Sequence, residues 1–202
     1  MDQDIARCTI VALPEKNTLG ALNELKNYFG TLGFTYKNKA STSDVHLSLA
    51  EVLCDLGDVE VMRTELAKAV ADVAPISSKY TEIMNEKRGP IPGKCEYENC
   101  WVAVLFEDAG LQDLSAVVDA CLVSLGKSTT GEYISRIQDG IYHGNNTTET
   151  VIANHMNLCN YCRPEKSEEA REMIIRSIPP EITFDRIALR LPDGSHAWEI
   201  DL

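Results

Sequence analysis

The order of apolar segments in this chain repeats, and each copy contains one histidine on a predicted strand. Alternating side chains predict strands around His46 and His155. Twelve residues separate His46 from Asp58, where the next predicted helix begins, and twelve separate His155 from Ser167, where the corresponding helix begins. The order β-α-β-α-β therefore occurs twice, and its spacing predicts an internal repeat.

The repeat has one large mismatch, which lies before the second histidine. Ile10 in the first predicted strand is 36 residues from His46, whereas Val104 in the corresponding strand is 51 residues from His155. The additional residues fall in 127–150, which is rich in Gly, Ser, Thr and Asn. This composition predicts a long polar loop with at most short structure around 133–137.

The chain length limits how the two halves can be organised. With 202 residues, the chain suits one ordinary domain or two small lobes that share a core. We therefore predict one bilobal domain over residues 1–202, with repeats at approximately 5–93 and 94–202. The fold class is α+β.

The charge and the cysteine content exclude some classes of protein. A formal net charge of −12 argues against a protein that grips long duplex nucleic acid, because that affinity depends on Lys and Arg. A small anionic ligand needs only a few local donors. Seven scattered cysteines, an opening segment without a basic region and no long apolar run predict a reduced cytoplasmic protein without a membrane segment.

Each histidine strand carries the same short pattern. The period of a strand places His46 and Ser48 on one face, and it places His155 and Asn157 on one face. Two imidazoles on opposite sides of a phosphorus can act as base and acid near neutral pH. Ser48 and Asn157 would then donate hydrogen bonds to the non-bridging oxygens, and this chemistry needs no metal.

The repeated layout with one His-x-Ser-like motif in each half resembles the two-histidine (2H) phosphoesterase superfamily. That group includes 2′,5′ RNA ligase-like proteins and cyclic nucleotide phosphodiesterases. The resemblance covers nearly the whole chain, from the strand Cys8–Pro14 to the closing hairpin that contains 184–189 and 198–200. It implies two antiparallel sheets that face a central cleft, with helices outside and His46 and His155 at the centre.

The resemblance also implies an activity. We expect a metal-independent phosphodiesterase without a cofactor, which acts as a monomer on a small nucleotide or an RNA terminus. The substrate would carry a 2′,3′-cyclic phosphate or a 2′,5′ linkage. Asn157 departs from the family pattern, which has Thr or Ser there, and an amide is bulkier and cannot lose a proton. The alternative is a non-catalytic module that binds nucleotides or RNA ends.

Other residues are weaker candidates for the site. Arg163 could hold phosphate, although a solvated surface arginine is the more ordinary interpretation. Tyr133, Tyr142 and His143 lie in the predicted polar loop and could stack on a base or ribose. His196 follows a predicted turn and is interpreted as a surface residue.

Four cysteines allow a third hypothesis, a structural zinc site. Cys159 and Cys162 could bind zinc together with Cys95 and Cys100. On a regular strand, however, Cys159 and Cys162 would point to opposite faces, which argues against a shared metal.

Overall fold

The computed structural model describes residues 6–36, 44–55, 57–91, 95–138 and 152–202, and within these ranges it contains seven strands and five α-helices. The strands are β1 (Ala6–Pro14), β2 (Leu47–Cys54), β3 (Ile76–Arg88), β4 (Asn99–Phe106), β5 (His155–Cys162), β6 (Glu181–Arg190) and β7 (His196–Asp201). The helices are α1 (Lys16–Thr31), α2 (Val59–Ala69), α3 (Ala109–Ser124), α4 (Thr130–Gln138) and α5 (Ser167–Ser177). None of these helices is long and apolar enough to cross a bilayer.

The strands form one continuous antiparallel sheet, whereas the resemblance implied two facing sheets. The strand order is β1-β2-β5-β4-β3-β6-β7, and β1 also pairs with β6. β6 joins what would otherwise be two sheets, because its first residues pair with β3 and its later residues pair with β1 and β7. The sheet therefore bends back on itself.

The pairing pattern has a two-fold character. If β1, β2 and β3 are exchanged with β4, β5 and β6 in that order, every pairing among these strands has a counterpart. The β1–β2 pair corresponds to β4–β5, and the β3–β4 pair corresponds to β6–β1. The β2–β5 and β3–β6 pairs map onto themselves. The order of elements agrees with the spacing in the sequence, and a common origin of the two halves remains a prediction.

The helices cover one face of the sheet, where the main apolar core lies. The core side chains of β2 include Leu47, Leu49 and Val52, and those of β5 include Met156 and Leu158, all at 0–1% exposure. The rings of Phe106 and Phe184 meet edge to face at 5.6 Å and connect β4 to β6. Burying each such side chain contributes about 1.5–3 kcal/mol, so this face fixes the positions of the strands.

The opposite face has two smaller apolar clusters with polar side chains around them. Val11, Leu13 and Ala188 form one cluster on β1 and β6. Met84, Trp101 and Ala103 form the other on β3 and β4. Since these clusters flank β2 and β5, the polar face of the two histidine strands lies between them.

Two local predictions differ from the structure. Residues 130–138 form α4, a helix longer than the short structure predicted around 133–137 within the polar segment 127–150. Gly89 and Pro90 predict a turn that begins at Arg88, but Arg88 is the last residue of β3, where it pairs with Asn99. Pairing with β4 extends the strand up to the glycine.

Candidate active site

The two histidine strands meet at one paired position. Leu47 of β2 lies opposite Met156 of β5 in an antiparallel register. Continuing this register by one residue in each direction places His46 opposite Asn157 and Ser48 opposite His155. The four polar residues singled out in the sequence thus form one two-by-two patch on a single face.

The patch places the imidazoles as diagonal neighbours. Diagonal cross-strand residues have Cα atoms about 7–8 Å apart, within reach of aromatic side chains. Because both rings project to the same side, one phosphoryl group between them can contact both. His46 and His155 interact electrostatically, since each positive charge would disfavour the other, and this contributes to lowering the pKa of His46.

A backbone carbonyl orients the ring of His46. Its Nδ1 lies 2.7 Å from the carbonyl oxygen of Asp44, so Nδ1 carries the hydrogen and Nε2 has the free lone pair when the ring is neutral. Asn23 of α1 fixes this segment, because its amide donates to Asp44 Oδ1 at 2.8 Å and accepts from the Val45 N–H at 2.8 Å. The helix therefore helps to position the Nε2 atom of His46.

A side-chain amide and an indole orient the ring of His155. Its Nδ1 lies 2.8 Å from Asn154 Oδ1, which leaves the Nε2 lone pair free in the neutral ring. The indole of Trp101 meets the imidazole edge to face, with centroids 4.8 Å apart and an interplanar angle of 86°. The guanidinium of Arg88 lies 4.0 Å above the same indole, so Trp101 is packed between a cation and the histidine.

Burial and nearby cations keep both imidazoles neutral. Loss of hydration, followed by the charges of Arg190, Lys26 and His155, lowers the pKa of His46 to about 3. Loss of hydration and the charge of Arg88 lower the pKa of His155 to about 4. In the free protein at neutral pH, both Nε2 atoms are therefore proton acceptors, and an anion between them would favour protonation of one.

The sequence did not identify the cations around the patch. Arg88 lies on the His155 side, and Arg190 and Lys26 lie on the His46 side. Burial lowers the pKa of Lys26 to about 8. In the sequence, Arg186 and Arg190 lie at alternate positions of a strand pattern, and this is a signal that could have identified Arg190. No pattern pointed to Lys26, since it lies beside the apolar stripe of α1.

The two predicted phosphate donors have different surroundings. Ser48 is partly buried on β2, opposite His155. Asn157 is also partly buried, and its Oδ1 is buried without a hydrogen-bond partner. A buried acceptor without a donor is costly, by about 1–3 kcal/mol, so the site is not fully satisfied in the free protein.

The other sequence candidates lie in different places. Tyr133 is on α4, and its proximity contributes to the electrostatics of Arg88, so it lies on the His155 side. Tyr142 and His143 fall outside the described residues. Arg163 follows the far end of β5, roughly 20 Å or more from His155 by strand rise, with its guanidinium 4.7 Å from the ring centre of Tyr36. The structure therefore does not bring Arg163 to the histidine patch.

His196 differs from its interpretation as a surface residue. Its side chain is only 10% exposed, and its Nδ1 lies 3.3 Å from Glu199 Oε1 and 3.9 Å from Asp44 Oδ2. The residue opens β7 and does not simply follow the turn. Side chains from β7 and from the segment before β2 cover it, which local sequence does not reveal.

The cysteine prediction was wrong about direction. Cys159 and Cys162 both lie in the core beside Cys100, because Tyr161 adopts a left-handed φ of 55° and the register with β4 shifts there. The hydrogen bond with the Cys162 thiol, followed by burial, raises the pKa of Cys159. All seven cysteines are free thiols, and the described residues contain no group of three or more His, Cys, Asp or Glu side chains placed to hold a metal.

No family model and no curated protein matches the sequence. Solved structures that are similar include one described as a phosphoesterase (10% identity, 98% of this chain and 100% of that chain, TM-score 0.44). They also include E. coli LigT in apo form (10%, 98% and 95%, 0.44) and Kluyveromyces marxianus Usb1 (7%, 99% and 99%, 0.44).

Proposed function

We propose that this protein is a metal-independent phosphodiesterase that hydrolyses a small or terminal nucleotide phosphodiester by paired-histidine acid and base catalysis. The observation that carries the proposal is the register at Leu47 and Met156, which assembles His46, Ser48, His155 and Asn157 into one patch. Two rings with free Nε2 lone pairs and two hydrogen-bonding side chains match what an in-line displacement at phosphorus requires.

The proposed step uses a water molecule as nucleophile. The Nε2 atom of one histidine takes a proton from the water while the water oxygen forms a bond to phosphorus. The Nε2–H of the other histidine gives a proton to the leaving ribose oxygen as the phosphorus–oxygen bond breaks. The Ser48 hydroxyl and the Asn157 amide N–H donate to the two non-bridging oxygens, where negative charge accumulates.

The charges around the rings assign the two roles. His46 has Arg190, Lys26 and His155 as positive neighbours, whereas His155 has Arg88. The negative charge of a bound phosphodiester raises the pKa of both rings, and the less disfavoured ring takes up a proton from solvent first. We therefore assign the acid to His155 and the base to His46. Arg88, Arg190 and Lys26 offset the charge of the phosphate, which is a contribution that a metal makes in other phosphoesterases.

The proposed substrates are nucleotides with a 2′,3′-cyclic phosphate or a 2′,5′ linkage. The net charge of −12 disfavours long nucleic acid, and the few local cations suit a small ligand or an RNA end. We also propose that the protein is a monomer in the cytoplasm. The seven free thiols are consistent with a reducing compartment.

A non-catalytic nucleotide-binding module is the second candidate. The observations that favour it are the unpartnered Oδ1 of Asn157 and the low pKa of both histidines, since neither ring is an acid in the free protein at neutral pH. Such a protein would bind the same ligands through the same patch without turnover.

Turnover of 2′,3′-cyclic mononucleotides and 2′,5′-linked dinucleotides, followed by chromatography of the products, separates the two candidates. The enzyme converts at least one of these in the absence of added metal, and His46→Ala and His155→Ala abolish the conversion while circular dichroism shows retained folding. Tight binding without turnover supports the binding module. Full activity in either histidine variant contradicts the mechanism.

A further inference from the structure

Two buried nitrogen atoms without hydrogen-bond partners lie together at one side of the histidine patch. Arg190 of β6 and His196 of β7 are directly opposite each other in the antiparallel register. Arg190 Nε and His196 Nε2 are both buried, and neither has a partner among the described residues. Cross-strand neighbours have Cβ atoms about 4.5–5.5 Å apart, so one ligand can contact both side chains.

The ring of His196 is held by a built polar network. Its Nδ1 is directed at Glu199 Oε1 at 3.3 Å, and the other Glu199 oxygen accepts from Arg186 at 2.7 Å. Arg186 is itself buried and donates to the Pro14 carbonyl at 2.8 Å. With Nδ1 committed to a carboxylate, Nε2 is the atom of this ring that remains for a ligand.

The register and the contacts connect this pair of residues to His46. Arg190 lies two residues after Ala188 on β6, so the two side chains are on the same face. Ala188 pairs with Val11 of β1, and Val11 pairs on its other side with Ser48 of β2. His196 lies 3.9 Å from the carboxylate of Asp44, and the Asp44 carbonyl orients His46. Consistent with this placement, the charge of Arg190 contributes to the low pKa of His46.

The chemistry of the two nitrogens selects an anion. A guanidinium has only donors, so its unpartnered N–H excludes a cation and requires an acceptor. The imidazolium form of His196 donates from Nδ1 to Glu199 and from Nε2 to the same acceptor. Three carboxylates lie nearby, and each is already engaged: Glu199 with Arg186, Asp44 with Asn23, and Asp193 with Ser195. Lys26 adds positive charge on this side.

We propose that Arg190 and His196 form a second anion site, which binds a terminal phosphate of the nucleotide whose phosphodiester lies between the two histidines. This inference rests on the proposed function and narrows the substrate class to nucleotides with a phosphomonoester on the His46 side of the scissile group. Arg163, which stacks on Tyr36 far from the patch, takes no part in it.

Binding of two dead-end ligands tests the site independently of turnover. Calorimetry compares adenosine 3′,5′-bisphosphate with adenosine 3′-monophosphate, which differ by one phosphate. Charged hydrogen bonds predict that the bisphosphate binds the wild type about tenfold to a hundredfold more tightly. This ratio falls to about one in Arg190→Gln and is reduced in His196→Gln, whereas it persists in Arg63→Gln. Arg63 is an exposed arginine of α2 and supplies the same charge change.

Each outcome decides between the site and the proposed function. Equal affinity of the two ligands for the wild type, or a preference that survives in Arg190→Gln, overturns the second anion site. The proposed hydrolysis is then judged by the turnover assay alone. A preference that depends on Arg190 without any turnover supports the site and contradicts hydrolysis. If neither ligand binds, both proposals fail. Thermal melting of each variant establishes that a lost preference is not a loss of folding.

Discussion

The His46 side and the His155 side of the patch carry the same ring in different surroundings. A backbone carbonyl orients His46, and two long cations, Arg190 and Lys26, lie near it. A side-chain amide orients His155, and an indole with a single arginine above it supports that ring. The symmetry of the strands therefore does not extend to the electrostatics.

The difference teaches how two equivalent positions acquire separate roles. Strand pairing brings the imidazoles together, but it does not choose between acid and base. That choice depends on the neighbours, because more positive charge around His46 makes protonation of His155 the less costly event. The predictions below test this division, from the largest effect to the smallest.

Removal of either imidazole is the most severe change. We expect His46→Ala and His155→Ala each to lower kcat by about 10³-fold or more, because general acid and base steps contribute about 10²–10⁴-fold each. The double variant should be little worse than either single variant, since the two rings act on one phosphoryl group. Single-turnover rates check this, and independent, multiplying losses would contradict a shared group.

The two oxygen-stabilising side chains should have smaller and unequal effects. Ser48→Ala removes a hydroxyl donor, and we expect a loss in kcat of about 10²-fold. Asn157→Ala should lower kcat less than Ser48→Ala does, because it also removes a buried oxygen that lacks a hydrogen-bond partner. Steady-state kinetics measure both. Ser124→Ala, which removes an exposed hydroxyl of α3, is the matched control, and equal losses at Ser48 and Asn157 would remove this asymmetry.

Neutralising Arg190 or Arg88 should raise the pKa of the histidine nearer to it. Arg190→Gln raises the pKa of His46 and Arg88→Gln raises the pKa of His155, each by about one unit, because a like charge is removed. Titration of the imidazole C–H signals by NMR follows each ring separately. Movement of both rings by the same amount in either variant would mean that the two sides are not electrostatically distinct.

The low pKa values also predict how stability depends on pH. Both folded-state pKa values lie below the ordinary value of 6.5, so the unfolded chain binds more protons between about pH 4 and 6.5. The free energy of unfolding therefore falls as pH decreases through this window, by up to about 1.4 kcal/mol per pH unit for each histidine. His155→Gln should flatten the dependence in urea melts, and an unchanged slope would show that this ring is not buried.

Removal of metal should have the smallest effect. Treatment with a chelator is expected to change turnover less than about twofold, since two imidazoles supply both proton transfers. A loss of activity that zinc or magnesium restores would contradict metal-independent proton transfer by the two histidines.

Local pattern was enough to predict the histidine strands, because alternation in β2 and β5 depends on which face is buried. It was also enough for α5, whose limits of Ser167–Ser177 agree with the polar residues at its start and the prolines after it. The pairing of β2 with β5 was not available from alternation. The resemblance implied two facing sheets with the histidines at the centre of the cleft, and the structure instead places β2 and β5 side by side in one sheet.

The supporting residues depend on contacts that no local pattern encodes. Arg88 was missed because Gly89 and Pro90 indicate a turn, whereas β4 holds the strand extended up to the glycine. Cys159 and Cys162 share a face only because Tyr161 interrupts the strand period. His196 is covered by Glu199 and by Asp44, which lies 152 positions before it in the chain.

The central claim is that His46 and His155 contact one phosphoryl group. A crystal structure with orthovanadate or phosphate bound tests it most directly. The account predicts one anion between the rings, with both Nε2 atoms within about 2.6–3.2 Å of its oxygens. An anion held by only one ring, or Nε2 atoms more than about 10 Å apart, would contradict it, because a single phosphoryl group could not then reach both.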